Sequence, residues 1–343
     1  MAMNREQGGI WVYVGHSGGQ IDRSAVELLG KARKLADKIG ADLSAILIGF
    51  GVKSLSHELI SYGANRVYIV DHERLANYTT MPYARLLGDL IRVEKPGIVL
   101  FSADANGRDL APRIAARLET GLTADCVDLD IGDFEDKEYG NKYRNILLQV
   151  VPAFGGNVMA TIVNPERRPQ MATVRPGTFE MPDKDLNRRG EVVPFDVELE
   201  EGDNAVEVLE VIKKEDTVNF DGARIVVAGG RGVGGIRGFN LLRELADVLG
   251  AEVGASRAAV EAGWISLDYM VGLGGQTVRP DIYIACGISG AMHHIMGVTN
   301  SKIIIAINKD PNAPIFNVAD YFIVGDIFDV VPKVIERIRL LSS

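Results

Sequence analysis

Short apolar runs alternate along the chain with stretches in which apolar residues recur every three or four positions. Ile10–Val14 (IWVYV) is a run of strand length. Arg23–Ile39 follows, with Ala25, Leu28, Leu29, Ala32 and Leu35 spaced along one helical face. The alternation continues with a strand at Leu43–Ile48, a helix around Ser54–Tyr62 and a strand at Arg66–Val70. A helix near Pro82–Val93, a strand at Gly97–Phe101 and a helix at Arg108–Leu118 complete it. Strands linked by helices predict a mostly parallel sheet covered on both faces, because parallel neighbours need crossover connections. From Asp125 the pattern becomes consecutive strands, at Asp125–Ile131, Tyr143–Val151, Asn157–Val163 and Met171–Val174. These are expected to extend the sheet and turn back onto it.

Periodicity is lost from about Arg175 to Asn204, where Pro176, Pro182 and Pro194 stand among many charges. That composition suits an inter-domain connection with some ladder pairing. A second series then begins, with strands at Arg224–Ala228, Asp281–Ala285 and Lys302–Ile307 and helices at Gly238–Leu249 and Ile327–Leu341. The expected fold class is α/β with two α/β domains. Residues 1–204, including the connector at about 175–204, form an N-terminal Rossmann-like, mostly parallel domain. Residues 205–343 form a C-terminal doubly wound domain.

Composition narrows the function. Of 343 residues, 47% are hydrophobic and 24% charged, a globular balance that excludes disorder. The net charge of −9, with Lys and Arg scattered and aromatics at 7%, excludes a nucleic-acid binder. The acids thicken at Asp196–Asp203, as in a solvated connector. No apolar run approaches the ~18–20 residues of a membrane helix, and residues 1–10 (MAMNREQGGI) hold no apolar signal core. Cys126 and Cys286 are too few for a disulfide framework or a four-cysteine zinc site. A reduced, cytoplasmic protein is expected, reaching a membrane surface only through partner subunits.

Candidate chemistry gathers in the second half. Ala228–Gly238 (AGGRGVGGIRG) has six glycines in eleven residues, after a strand and before a helix. Gly230, Gly232 and Gly235 satisfy G-x-G-x-x-G, which reads either as a plain glycine-rich turn or as a phosphate loop. A nicotinamide fold needs an acid at the next strand end, and Val253–Arg257 (VGASR) offers none. Val271–Thr277 (VGLGGQT) and Cys286–His294 (CGISGAMHH) are further glycine clusters beside apolar runs. Three such loops at strand ends, with Arg231 and Arg257, suggest a large phosphate-bearing cofactor. Ser289 and Gly290, before a helix around Ala291–Met296, offer a hydroxyl and amides to a diphosphate. His293 and His294 are adjacent, with no carboxylate at metal-ligand spacing. Asp326 reads either as a cap on the last helix or as an acceptor for a ribose or purine edge.

These strings resemble the alpha subunit of electron transfer flavoproteins. The resemblance rests on GGRG at 229–232, GASRAAVEAGW at 254–264, GISGA at 287–291 and INKDPNAPIFNVADY at 307–321. GRDLAPRIAARLETGLTADC at 107–126 and VRPGTF at 174–179 extend it to the first half. It implies one FAD in the C-terminal domain, an obligate beta-subunit partner, a mobile flavin domain, and no small-molecule turnover at this subunit. Electrons would pass from a donor dehydrogenase, or from an NADH-fed, bifurcating beta subunit, to a quinone-reductase-type acceptor. By matching position, the FAD site comprises Arg231, Ser256 and Arg257, with the Arg257 guanidinium near the isoalloxazine. The loop Met270, Val271, Gly272, Leu273 and Gly274 belongs to it. So do Gly287, Ile288, Ser289, Gly290, Ala291, Met292, His293 and His294, with His294 near the flavin carbonyl O2. Asn308 and Asp326 match the adenosine side. One segment departs: the family usually has VGQTG, whose threonine bonds flavin N5, and this chain has VGLGG, with Gln276 and Thr277 just beyond. Outside the family, the alternatives are a nicotinamide-dependent oxidoreductase and a nucleotide-binding sensor.

Overall fold

The computed structural model describes residues 8–153, 158–196, 199, 206–212, 218, 220 and 222–342. The chain divides into two compact units, one built from Met1–Ala153 and Met159–Val211, the other around Ile212–Ser343.

The first unit opens with β1 (Ile10–Tyr13), a small hairpin of β2 (His16–Ser17) and β3 (Gln20–Ile21), and α1 (Arg23–Ile39). Gly40, left-handed at φ 65°, ends α1 and bonds back to the carbonyl of Asp37. Then come β4 (Leu43–Gly49), α2 (Ser56–Ser61), β5 (Arg66–Asp71), α3 (Thr80–Glu94), β6 (Ile98–Ser102), α4 (Ala105–Arg117) and β7 (Leu122–Cys126). β8 (Asp128–Glu135), β9 (Lys142–Ala153) and β10 (Val158–Ile162) form a separate sheet, ordered β10-β9-β8. β11 (Gln170–Val174) and β12 (Glu191–Pro194) return to the main sheet. That sheet runs β12-β5-β4-β1-β6-β11-β7, with neighbouring strands parallel. Both faces are covered, so its strands are continuously apolar, and all seven residues of β4 are buried. Leu28, Leu29 and Leu59 pack on one face, Leu86, Leu87, Leu110 and Ile114 on the other.

The second unit contains β13 (Ile225–Gly229), α5 (Ile236–Leu249), β14 (Glu252–Ala255), α6 (Arg257–Glu261) and β15 (Ile282–Cys286). α7 (Met292–Ile295), β16 (Ile303–Asn308), β17 (Tyr321–Val324) and α8 (Ile327–Ser342) complete it. Its parallel sheet runs β14-β13-β15-β16-β17, which is 2-1-3-4-5 counted from the unit's own start. The connections leaving β13 and β15 therefore diverge, and a crevice opens outside their carboxyl ends. Phe239 and Leu242 of α5 pack with Val331 and Ile335 of α8 on one face. Irregular chain covers the other, through Val278, Ile288, Val298 and Ile315. Among the described residues no helix is long and apolar enough to cross a membrane.

The expected strand Asp125–Ile131 is two strands in two sheets. Asp125 sits at φ 60°, the register against β11 slips between Ala172 and Val174, and beyond Cys126 the chain leaves the main sheet. β8 and β9 pair antiparallel, so β8, β9 and β10 build their own sheet instead of extending the first. Within the connector, Glu191–Pro194 pairs with Arg66–Ile69 as an outer strand. Pro194, which has no N–H to give, is tolerated on an edge. The acidic run 196–203 lies outside the described residues except for Asp196 and Leu199.

Candidate functional site

Loops from the carboxyl ends of β13, β14, β15 and β16, joined by the segment 270–274, enclose a cavity of about 560 Å³. That is an ordinary size for a small-molecule or cofactor site.

Glycine makes the convergence possible. Gly230 N–H donates to Cys286 O and Gly232 N–H to Gly287 O, each at 2.9 Å. A Cβ on Gly230 would stand 2.4 Å from Gly287 O, and one on Gly232 would stand 2.8 Å from Gly287 Cα. These glycines thus press the β13 loop against the β15 loop. From the glycine-rich stretch only Arg231 and Gly232 reach the cavity. Gly234, Gly235 and the start of α5 do not line it. The amides expected from a helix at 291–296 belong to a helix of four residues, Met292–Ile295.

Ser256, 9% exposed, bonds through its own N–H to Gly229 O and precedes α6. One turn on, Arg257 Nε and Glu261 Oε1 pair at 2.7 Å. Met270 and Val271 are buried, and Val271 N–H bonds to Ala255 O at 2.8 Å. Leu273 N–H donates to His293 O at 2.7 Å, fastening this segment to α7. Asn308 holds two loops together: its Nδ2 donates to Ile288 O at 2.9 Å, and its Oδ1 accepts from Asp310 N–H at 3.0 Å.

His294 is 6% exposed; its Nδ1 lies 3.0 Å from Val271 O and its Nε2 2.9 Å from the Tyr283 hydroxyl. Burial pushes its pKa down to about 4, against a smaller opposing effect of the Val271 carbonyl. Burial likewise pushes the Cys126 and Cys286 thiols up to about 12, so neither is a nucleophile at neutral pH.

Fifteen of the residues expected at the site line the cavity: Arg231, Ser256, Arg257, Met270–Gly274, Gly287–Ser289, Ala291, His293, His294 and Asn308. Gly290, Met292 and Asp326 do not. Gly290 packs on Ile315, whose N lies 2.3 Å from where a Cβ would be, and Met292 is exposed. Asp326 Oδ1 accepts from Phe328 N–H at 2.9 Å, the helix-capping alternative. Gln276 donates to Asp268 O at 2.8 Å, and neither it nor Thr277 lines the cavity. Gly232, Ala258, Glu261, Asp310 and Ala313 join the lining beyond expectation. Glu261 was findable as the residue one turn after Arg257 on a short helix.

Apolar walls from Met270, Val271, Ile288 and Ala313, two guanidiniums, and the hydroxyls of Ser256 and Ser289 suit a ligand with a flat ring system and a diphosphate. Buried Ser256 and Asn308 add polar atoms to that lining. FAD fits this donor set. Sheet, crevice and lining define an α/β protein that binds a nucleotide cofactor.

Residues 10–200 match the model of the electron transfer flavoprotein domain, and residues 219–299 that of the electron transfer flavoprotein FAD-binding domain. The chain is 52% identical over 334 residues to electron transfer flavoprotein subunit alpha of Thermoanaerobacterium thermosaccharolyticum, covering 97% of this chain and 98% of that one. It is 49% identical over 336 residues to Protein FixB of Clostridium saccharobutylicum, with 98% and 97% covered. It is 43% identical over 331 residues to the lactate dehydrogenase (NAD(+),ferredoxin) subunit LctC of Acetobacterium woodii, with 96% and 77% covered. The chain belongs to the electron transfer flavoprotein alpha-subunit family, and its cofactor is FAD.

Proposed function

We propose that this chain holds FAD in the crevice of its second sheet and passes electrons between redox proteins, as one half of a heterodimer with a beta subunit. The carrying observation is the cavity at the β13–β15 divergence, where strand-end loops bring Arg231 and Arg257 together with the apolar side chains of Met270, Val271, Ile288 and Ala313. Bound FAD supplies the electron-accepting and electron-donating chemistry; the chain supplies everything around it. Met270, Val271, Ile288 and Ala313 keep water from the ring. The hydroxyls of Ser256 and Ser289 bond the phosphate-bearing part. Arg257 stabilises negative charge gained on reduction by charge attraction, and Glu261, paired with it, tempers that effect. Asn308 keeps the β15 and β16 loops in register. A donor dehydrogenase and a quinone-reductase-type acceptor are the expected exchange partners.

A second reading, an NADH-fed bifurcating complex, is favoured by one observation. Leu273 and Gly274 put no side-chain hydroxyl into the cavity, and Gln276 is turned to Asp268 O. Relatives include a subunit named for an NAD- and ferredoxin-linked lactate dehydrogenase. The visible absorption spectrum and flavin count of the chain purified with its beta partner test both readings. One FAD per heterodimer supports a simple shuttle, and two FADs reducible by NADH support bifurcation. Absence of flavin bands would return the nucleotide-sensor alternative to the front.

A further inference from the structure

The segment that edges the cavity at 270–274 is closed by its own hydrogen bonds. Every backbone N–H from Val271 to Gln276 except that of Gly274 donates to a carbonyl among the described residues. Val271 donates to Ala255 O, Gly272 to Gln276 O, Leu273 to His293 O, Gly275 to Gly272 O and Gln276 to Met270 O. Gly274 lines the cavity. A loop closed in this way shifts as one body, so the place of Gly274 is set where the loop rests on a neighbour.

That neighbour is the turn after α7. Gly297 is buried there and does not line the cavity. A Cβ on Gly297 would stand 2.5 Å from Gly272 Cα and 2.7 Å from Gly272 N. Both are backbone atoms, so no side chain could swing aside. Gly297 cannot retreat freely either: its N–H donates to His294 O at 3.0 Å, and its carbonyl accepts from Val278 N–H at 2.9 Å. Gly272, at φ 136°, needs to be glycine for its own conformation. Gly297 has no left-handed φ, so its backbone would accept alanine. Only the approach of Gly272 calls for glycine at 297.

We propose that Gly297 is a positioning residue of the flavin site: its missing side chain lets the loop 270–276 seat against the α7 turn, which fixes where Gly274 meets the cofactor. Carbon atoms in contact need about 3.5 Å, so a methyl at 297 would part loop and turn by about 1 Å. A misplacement of that size, made away from the reacting atoms, is enough to disturb binding and chemistry. The contact stands on the geometry; its effect on FAD rests on the function proposed above.

Equilibrium dialysis of FAD and redox titration at saturating FAD test the proposal on the heterodimer, with Gly297→Ala set beside Val331→Ala. Val331 is buried on α8, against the opposite face of the sheet, so its truncation loosens the unit without touching the loop. Gly297→Ala is expected to weaken FAD binding roughly tenfold or more. It is also expected to change the ratio of reduced to oxidised flavin at the wild-type midpoint by a factor of about three. Val331→Ala is expected to leave both readings as in the wild type. Wild-type affinity and ratio in folded Gly297→Ala, or the same changes in Val331→Ala, would overturn the proposal. If Gly297→Ala does not fold, proton NMR of the glycine-labelled wild type decides. A strong nuclear Overhauser effect between the α-protons of Gly272 and Gly297 is expected with FAD bound and after its removal, and its absence would refute the seat. A wild-type protein that binds no FAD would sink the electron-transfer reading while the Overhauser contact stayed measurable, so the two failures are distinct.

Discussion

The chain contains two parallel sheets built by the same rule, and the second opens a cofactor-sized cavity of converging glycine loops where its connections diverge. In the first unit the divergence lies between β1 and β6, which flank each other while β4 and β6 lie on opposite sides of β1. Side chains of the unit crowd the glycines of the loops there. His16 Nε2 bonds to Ile48 O at 2.8 Å and crowds Gly49, where a Cβ would stand 2.7 Å from it. Asp22 presses on Gly15, with Oδ2 2.5 Å from a Cβ placed there, and Asp104 caps α4 through Gly107 N–H at 2.8 Å. The loops around β1 and β6 thus carry acids, which repel phosphate. In the second unit the corresponding loops are glycine packed on glycine, and the cavity's acids, Glu261 and Asp310, are joined there by Arg231 and Arg257, with Glu261 paired to Arg257. Architecture creates a crevice in both, and loop composition decides whether it admits a nucleotide.

Acid should separate the two units most. His294 is neutral when folded, with its pKa lowered to about 4, and takes up a proton when unfolded. Its stabilising contribution is complete above about pH 6.5 and is lost as pH falls toward 4, roughly 3 kcal/mol at most. In the first unit, the hydroxyls of Thr80 and Tyr78 hold Asp109 below the usual carboxylate range, opposed by burial, so its contribution is lost only at still lower pH. Segment-resolved hydrogen exchange between pH 7 and 4.5 is expected to show the second unit loosening first. Equal loosening would contradict the assignment.

Gly230→Ala places a methyl against Gly287 O and is expected to destabilise the second unit by about 1–3 kcal/mol and to release FAD. Gly15→Ala, against the movable Asp22 side chain in the first unit, is expected to leave flavin content unchanged. Denaturant titration and flavin absorbance of the paired variants check both. Arg257→Ala should weaken FAD binding about tenfold, ~1.4 kcal/mol, no more because the side chain is 76% exposed and screened. Equilibrium dialysis of FAD reads this directly. The smallest effect belongs to Gly274→Thr. A Cβ there meets only Met270 Cε at 3.6 Å, so the residue fits. A hydroxyl regained near the flavin is expected to shift its midpoint potential by the equivalent of ~0.5–1.5 kcal/mol. An unchanged reductive titration would mean that the loop does not face the reacting ring.

Local signals carried much of the fold. α1 spans Arg23–Ile39 as its periodicity predicts, because an apolar stripe ends at a glycine free to turn left-handed. β4, β6 and β11 are read within a residue by their apolar runs. What escaped was long-range. The break at Cys126 depends on Asp125, whose carboxylate pairs with Arg175 at 2.5 Å across 50 residues. β12 forms because β5 offers an open edge 125 residues earlier. At the site, residue types were legible but their division of labour was not. Gly230 and Gly232 meet the β15 loop, Asn308 bonds two loops and Asp326 accepts from Phe328 N–H, contacts that depend on a neighbour distant in sequence or on cap geometry.

Hydrogen exchange of the heterodimer with FAD bound and after its removal tests the central claim most directly. The account predicts that FAD protects amides at 256–258, 271–274, 287–291 and 308–310 and leaves those at 14–22 and 102–107 unchanged. Protection confined to the first unit's crevice, with none in the second, would contradict it.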